Sequence, residues 1–167
     1  MKFLLSFGFI LWTLVSYSQV DSIQPPYKRF PTLPPIQILL SDSSTIYTKA
    51  QIPKKTPVLF LIFSPDCSHC QKEAEELTEY KEKMKDLQII LITMHPLWMM
   101  NDFIVKYKLN ELPNVIVGKD INYLMQYFYD IHNLPFLSMY NEKGNLIRVF
   151  EGSLPIPNII QVFDTNK

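Results

Sequence analysis

Apolar and polar positions alternate in blocks along this chain, and the block lengths separate strands from helices. Val58–Phe63 is an unbroken apolar run of strand length, the pattern of a central strand buried on both faces. Cys70, Ala74, Leu77, Met84 and Leu87 then recur near helical spacing, which predicts a helix from about Cys67 to Asp86. Glu73, Glu75, Glu76 and Glu79 crowd its early half, and Lys81, Lys83 and Lys85 its end. That order complements a helix dipole, and Glu79–Lys83 adds a favourable i,i+4 pair. Gln88–Thr93 is the next strand. Pro96 opens a helix to about Lys108. Val115–Val117 is a short strand, and Asp120 caps a helix to about Phe128. Pro135–Tyr140 and Asn145–Phe150 are strands joined by Asn141-Glu142-Lys143-Gly144, a hairpin turn. Pro157–Phe163 is a short closing helix.

Upstream, Ile36–Leu40 and Thr45–Thr48 flank Ser41-Asp42-Ser43-Ser44 and predict a second hairpin. Pro53 to Pro57 is a loop. From Asp21 to Pro35, the prolines at 25, 26, 31, 34 and 35 predict an extended arm rather than a helix, because each fixes φ and lacks an N–H. Strand–helix alternation followed by a hairpin and a helix implies an α/β fold, a central mixed sheet with helices on both faces. No internal repeat and no second domain is visible. The expected organisation is a signal segment over 1–18, an arm over 19–35 and one domain over 36–167.

The signal segment changes the compartment. Met1-Lys2 is a short basic start, and Phe3–Val15 is apolar but for Ser6, Gly8 and Thr13. Ser16-Tyr17-Ser18 offers small residues where a signal peptidase cuts. The run is short for a membrane span, and no basic stop-transfer cluster follows Gln19, so cleavage is favoured over an uncleaved anchor. Lys+Arg and Asp+Glu both number 16, and losing Lys2 leaves the remainder one charge negative. Near-neutral charge gives no long-range attraction to nucleic acid or anionic membrane.

The chain has two cysteines, Cys67 and Cys70, spaced Cys-x-x-Cys. In an exported protein the plain alternative is a structural disulfide. Chain-entropy reasoning gives so small a loop roughly 2 kcal/mol, against about 3 for a fifteen-residue loop. Position argues further: the pair follows a buried strand and opens a helix. There the first sulfur faces unpaired backbone N–H groups and the positive dipole end, which favours a thiolate. A structural zinc site needs four ligands, and one Cys-x-x-Cys supplies two. His69, His95 and His132 would join only by chance of folding. Met94-His95 with Met99-Met100 hints at copper, but strand and helix-core roles explain the methionines better. No metal and no cofactor is expected.

Phe63-Ser64-Pro65-Asp66-Cys67-Ser68-His69-Cys70 resembles the strand-end active site of thioredoxin-like proteins. More narrowly, the chain resembles their exported TlpA/ResA-like branch. Glu73 matches the acid of that branch's Cys-x-x-Cys-x-x-Glu pattern. Tyr129-Asp130-Ile131-His132-Asn133-Leu134-Pro135 resembles its lead into a cis-proline, and Lys143 through Gly152 its last hairpin. The helix and strand between Pro96 and Val117 fit its insertion. The resemblance spans roughly Ile36 to Phe163. There are departures. Leu61 stands where cytosolic thioredoxins keep a buried Asp. Pro65-Asp66 replaces the usual aromatic residue, and Phe136 follows Pro135 where Thr is commoner, which implies a more apolar substrate groove. His69 replaces the usual Pro, as in strongly oxidising DsbA-type sites.

What the resemblance implies is a thiol–disulfide oxidoreductase of the periplasm or another extracytoplasmic space. Cys67 would be the nucleophile, Cys70 the resolving thiol, Glu73 the acid–base group and His69 a thiolate stabiliser. Leu134, Pro135 and Phe136 would meet the substrate. Exported clients with disulfides are the expected partners, with a membrane electron donor, and reduction is the expected direction. The competing readings are a non-catalytic thioredoxin-like binding module and a copper chaperone, though relatives of the latter kind generally space their cysteines by three. A peroxidase lacks its Pro-x-x-x-Thr-x-x-Cys segment here.

Overall fold

The computed structural model describes residues 24–166. The expected signal segment, residues 1–18, and the start of the arm lie outside the described residues.

Strand β3, Val58–Ile62, is buried at all five positions, and β4, Gln88–Thr93, at all six. They pair in parallel, and β5, Val115–Asp120, adds in parallel to β4. On the other side β3 pairs antiparallel with β6, Phe136–Tyr140, and β6 with β7, Leu146–Glu151. The N-terminal hairpin, β1 Gln37–Leu40 and β2 Ile46–Thr48, joins antiparallel to β5. The sheet order is β2-β1-β5-β4-β3-β6-β7.

Continuous apolar strands need cover on both faces, and they have it. Because side chains alternate along a strand, Leu59, Leu61 and Phe63 join one core with helices α2 (Ser68–Glu79), α4 (Leu97–Lys106) and α6 (Ile156–Thr165). Val58, Phe60 and Ile62 join the other with helix α5, Leu124–Tyr129. In that second core Tyr129 and Tyr140 share a hydroxyl hydrogen bond of 2.6 Å, and the Ser138 hydroxyl donates to Tyr129 at 2.9 Å.

Four expectations shift. The long helix from Cys67 ends at Glu79, and a separate turn, α3 (Lys81–Met84), follows. The apolar line has Lys81 four residues after Leu77, with nothing to bury there, and the chain re-aims so that Met84 reaches the core. The strand expected at Val115–Val117 runs on to Asp120, where Ile38 to Leu40 of β1 extend its ladder. Asp120 still caps: its carboxylate accepts from the Met125 N–H at 2.8 Å, but the helix starts later, at Leu124. The arm is not extended throughout. Pro26–Arg29 forms one helical turn, α1, with a proline in the first turn where no N–H partner is needed. Its Tyr27 packs on Tyr129 at 5.7 Å between ring centroids.

A Cβ at Gly118 would lie 2.7–2.9 Å from three side-chain atoms of Ile38, including its Cβ. Ile38 is itself buried and fixed in the β1 ladder. Gly118→Ala is therefore expected to destabilise the fold by about 1–3 kcal/mol, read as a lower urea midpoint with an unchanged slope. An unaltered midpoint would show that β1 yields.

Candidate active site

Strand β3 delivers the chain through Phe63 and Ser64 to a turn in which the Cys67 N–H donates to the Ser64 carbonyl at 3.1 Å. Cys67 is the N-cap of α2. N-cap side chains accept from the N–H groups a helix start leaves unpaired, and here a sulfur does so: the Cys70 N–H lies 3.4 Å from Cys67 Sγ. Cys67 is partly exposed and Cys70 is buried, and both are free thiols. His69, between them, is exposed. Gln71 donates from its side chain to the Pro65 carbonyl at 2.8 Å and braces the turn.

The Leu134–Pro135 peptide bond is cis, as expected. Cys67 Sγ lies 3.8 Å from the Leu134 carbonyl, although the two residues are 67 apart in sequence. Leu134 is partly buried and touches both cores. Phe136 does not meet that expectation of a groove residue. It is 1% exposed and packs on Tyr129, with ring centroids 4.9 Å apart, because β6 begins there and turns it into the second core. Two residues not singled out in the sequence hold this segment. Glu151 accepts from the Asn133 N–H at 3.0 Å and from its side-chain amide at 3.2 Å. The Gly152 N–H donates to the Pro135 carbonyl at 2.8 Å. Nothing in the spacing of the β6–β7 hairpin flagged either.

Glu73 is buried, unlike its exposed neighbour Glu75. One carboxyl oxygen accepts from the Leu154 N–H at 2.8 Å, and the other has no partner. Burial, with a smaller push from Glu76, raises its pKa from 4.5 to about 7. Burial likewise pushes the Cys70 thiol well up from its ordinary value, helped by the Cys67 sulfur and by charge on Glu73. Leu61 is fully buried in the same core, so no strand acid lies under the cysteines.

The remaining candidates lie elsewhere. His132 is exposed and 3.4 Å from Asp130, and His95 is half-buried in the loop after β4. Met94 packs toward the second core and Met100 toward the first, so the two face opposite sides of the sheet. Among the described residues no three His, Cys, Asp or Glu side chains cluster to hold a metal ion.

No protein-family model matches the chain, and no curated protein matches it. Solved structures do. A secreted Mycobacterium tuberculosis disulfide oxidoreductase homologous to E. coli DsbE is 16% identical, with TM-score 0.65 over 78% of this chain and 95% of that one. StoA from Bacillus subtilis is 16% identical, with TM-score 0.60 over 79% and 98%. A thioredoxin-family thiol:disulfide interchange protein from Chlorobium tepidum is 13% identical, with TM-score 0.67 over 85% and 96%. The fold is thioredoxin-like.

Two outcomes are expected. In single Cys→Ser variants at pH 7, Cys67 alkylates faster than Cys70, whose sulfur is buried and held protonated. Mass-spectrometric alkylation rates decide it, and faster Cys70 labelling would reverse the order. For Glu73, the folded state keeps a proton between pH 4.5 and about 7 that the unfolded chain has released. Its contribution to stability is therefore full below pH 4.5 and is lost as pH rises through 7, by about 3 kcal/mol at most. Glu73→Gln removes that loss. Urea unfolding of both proteins from pH 4 to 8 gives the difference, and a difference that does not change with pH would refute the buried acid.

Proposed function

We propose that this chain is a thiol–disulfide oxidoreductase that reduces disulfides in exported client proteins. One observation carries the reading: a partly exposed sulfur caps α2 beside the Leu134 carbonyl, while Cys70 and the carboxyl of Glu73 lie buried one and two turns in. A structural staple has no use for a buried, half-unpartnered acid on the same helix face.

The steps follow from position. Cys67, at the helix start with the Cys70 N–H 3.4 Å from its sulfur, attacks as the thiolate one sulfur of the client disulfide. An S–S bond forms to Cys67, and the other client sulfur leaves as thiolate and takes a proton from water. Cys70 then gives its proton to the Glu73 carboxylate, and its sulfur attacks Cys67 Sγ. The second client sulfur leaves and is protonated in turn. The client has gained two electrons and two protons, and Cys67–Cys70 is a disulfide. An external dithiol, supplied by the membrane donor that the resemblance implies, returns the two electrons. The Leu134 backbone offers an edge to an extended client segment. The apolar Phe3–Val15 run supports export.

Direction rests on opposing charges. The helix start, and the His69 that the resemblance associates with oxidising sites, point to a more oxidising pair, whereas Glu73 raises the Cys70 thiol and points the other way. The expected potential is roughly −250 to −180 mV, lowered further in His69→Pro. Glu73→Gln is expected to slow exchange in the folded protein. Equilibration with glutathione, read by mass spectrometry, gives the potential. A value above about −150 mV, with rapid oxidation of a reduced unfolded client, would make the protein an oxidase.

A further inference from the structure

A groove of about 220 Å³ opens between the turn before Cys67 and helix α4. Its walls include Asp66, next to Cys67 in the chain, and Trp98, Met99, Asp102 and Lys106 of α4. Trp98 is 66% exposed, a large aromatic surface left in water in the groove that Asp66 lines. Two carboxylates and one ammonium line it. Lys106 holds its Nζ 5.0 Å from the centre of the Tyr107 ring. The carboxylates of Asp66 and Asp102 have no hydrogen bond or ion pair among the described residues.

We propose that this groove receives an arginine side chain of the client, placed within a few residues of the client cysteine under attack. The inference rests on the oxidoreductase reading and names the substrate class of the same site. A cation matches both features at once, and a planar one matches them best. A guanidinium stacks on an indole face, where a carboxylate gains nothing, and its fork of N–H donors suits a carboxylate. The groove has room for about one long side chain, and Asp66 sets the spacing, because it is one residue from Cys67. An aliphatic client residue would cover Trp98 but leave both acids unpaired, and an acidic one would be repelled.

The test uses reduced full-length protein in single-turnover stopped flow. The substrates are two symmetric peptide disulfides that differ only in arginine or glutamate two residues from each cysteine. The disulfide of mercaptoethanol, which has no flanking residue, measures the exchange chemistry by itself. The arginine peptide is expected to react about tenfold faster at low salt, with the two rates converging as salt rises. Asp102→Lys, at an exposed position, is expected to abolish or reverse the preference. Equal rates for the two peptides at low salt overturn the proposal. So does a preference that survives unchanged in both Asp66→Lys and Asp102→Lys. Failure to reduce mercaptoethanol disulfide overturns the oxidoreductase reading itself, which the peptide comparison alone does not touch.

Discussion

Strand β3 has no solvent face. Val58, Phe60 and Ile62 pack into one core and Leu59, Leu61 and Phe63 into the other, with β4 and β6 hydrogen-bonded along its two edges. A slip of one residue would carry each set into the opposite core and break two ladders together. The end of β3 is therefore fixed in space, and with it the turn that places Cys67 at the start of α2. The same register sets Ile62 opposite Phe136. That pairing brings the cis Leu134–Pro135 segment alongside the cysteines. Residues far apart in sequence meet because one ladder admits one alignment.

The dry side of this arrangement governs its proton chemistry. Cys70 and Glu73 occupy the same buried face of α2, and each is penalised for carrying charge there. Charge on one raises the cost of charge on the other. Cys67, by contrast, is partly exposed and its sulfur accepts from the Cys70 N–H at the helix start. One turn of helix thus separates a partly exposed thiol from a buried one. No acid rises from the strand side, since Leu61 fills that place. The helix supplies the acid instead.

Much of this was legible in the sequence because it rests on short-range patterns. The apolar run Val58–Phe63, the Cys-x-x-Cys spacing and the Asn141–Gly144 turn each constrain only their own neighbourhood. The sheet and the placement of Cys67 at the helix start followed, and the resemblance implied the cis bond before Pro135. What stayed hidden depends on contacts between distant segments. Glu73 carries the same side chain as Glu75 two residues later, and only packing against the β7–α6 loop buries one and leaves the other in water. Phe136 follows Pro135 directly, yet β6 pairing turns it inward. Asp120 was recognisable as a cap, but its being the last residue of a lengthened strand depended on the β1 ladder. Glu151 looks like any hairpin carboxylate until the Asn133 backbone meets it.

The loop from Gly152 to Ile156 ties the two halves of the site together. Its Leu154 N–H donates to Glu73 and its Ile156 N–H to Glu76 at 3.0 Å. Its first residue donates to the Pro135 carbonyl, and Gly152 does so at φ 99°, a conformation that only glycine adopts without strain. One short segment therefore covers the buried acid at one point and supports the cis-proline at another. The cis-proline segment and the cover over Glu73 thus belong to one hydrogen-bonded unit, held to α2 by two carboxylates spaced one turn apart.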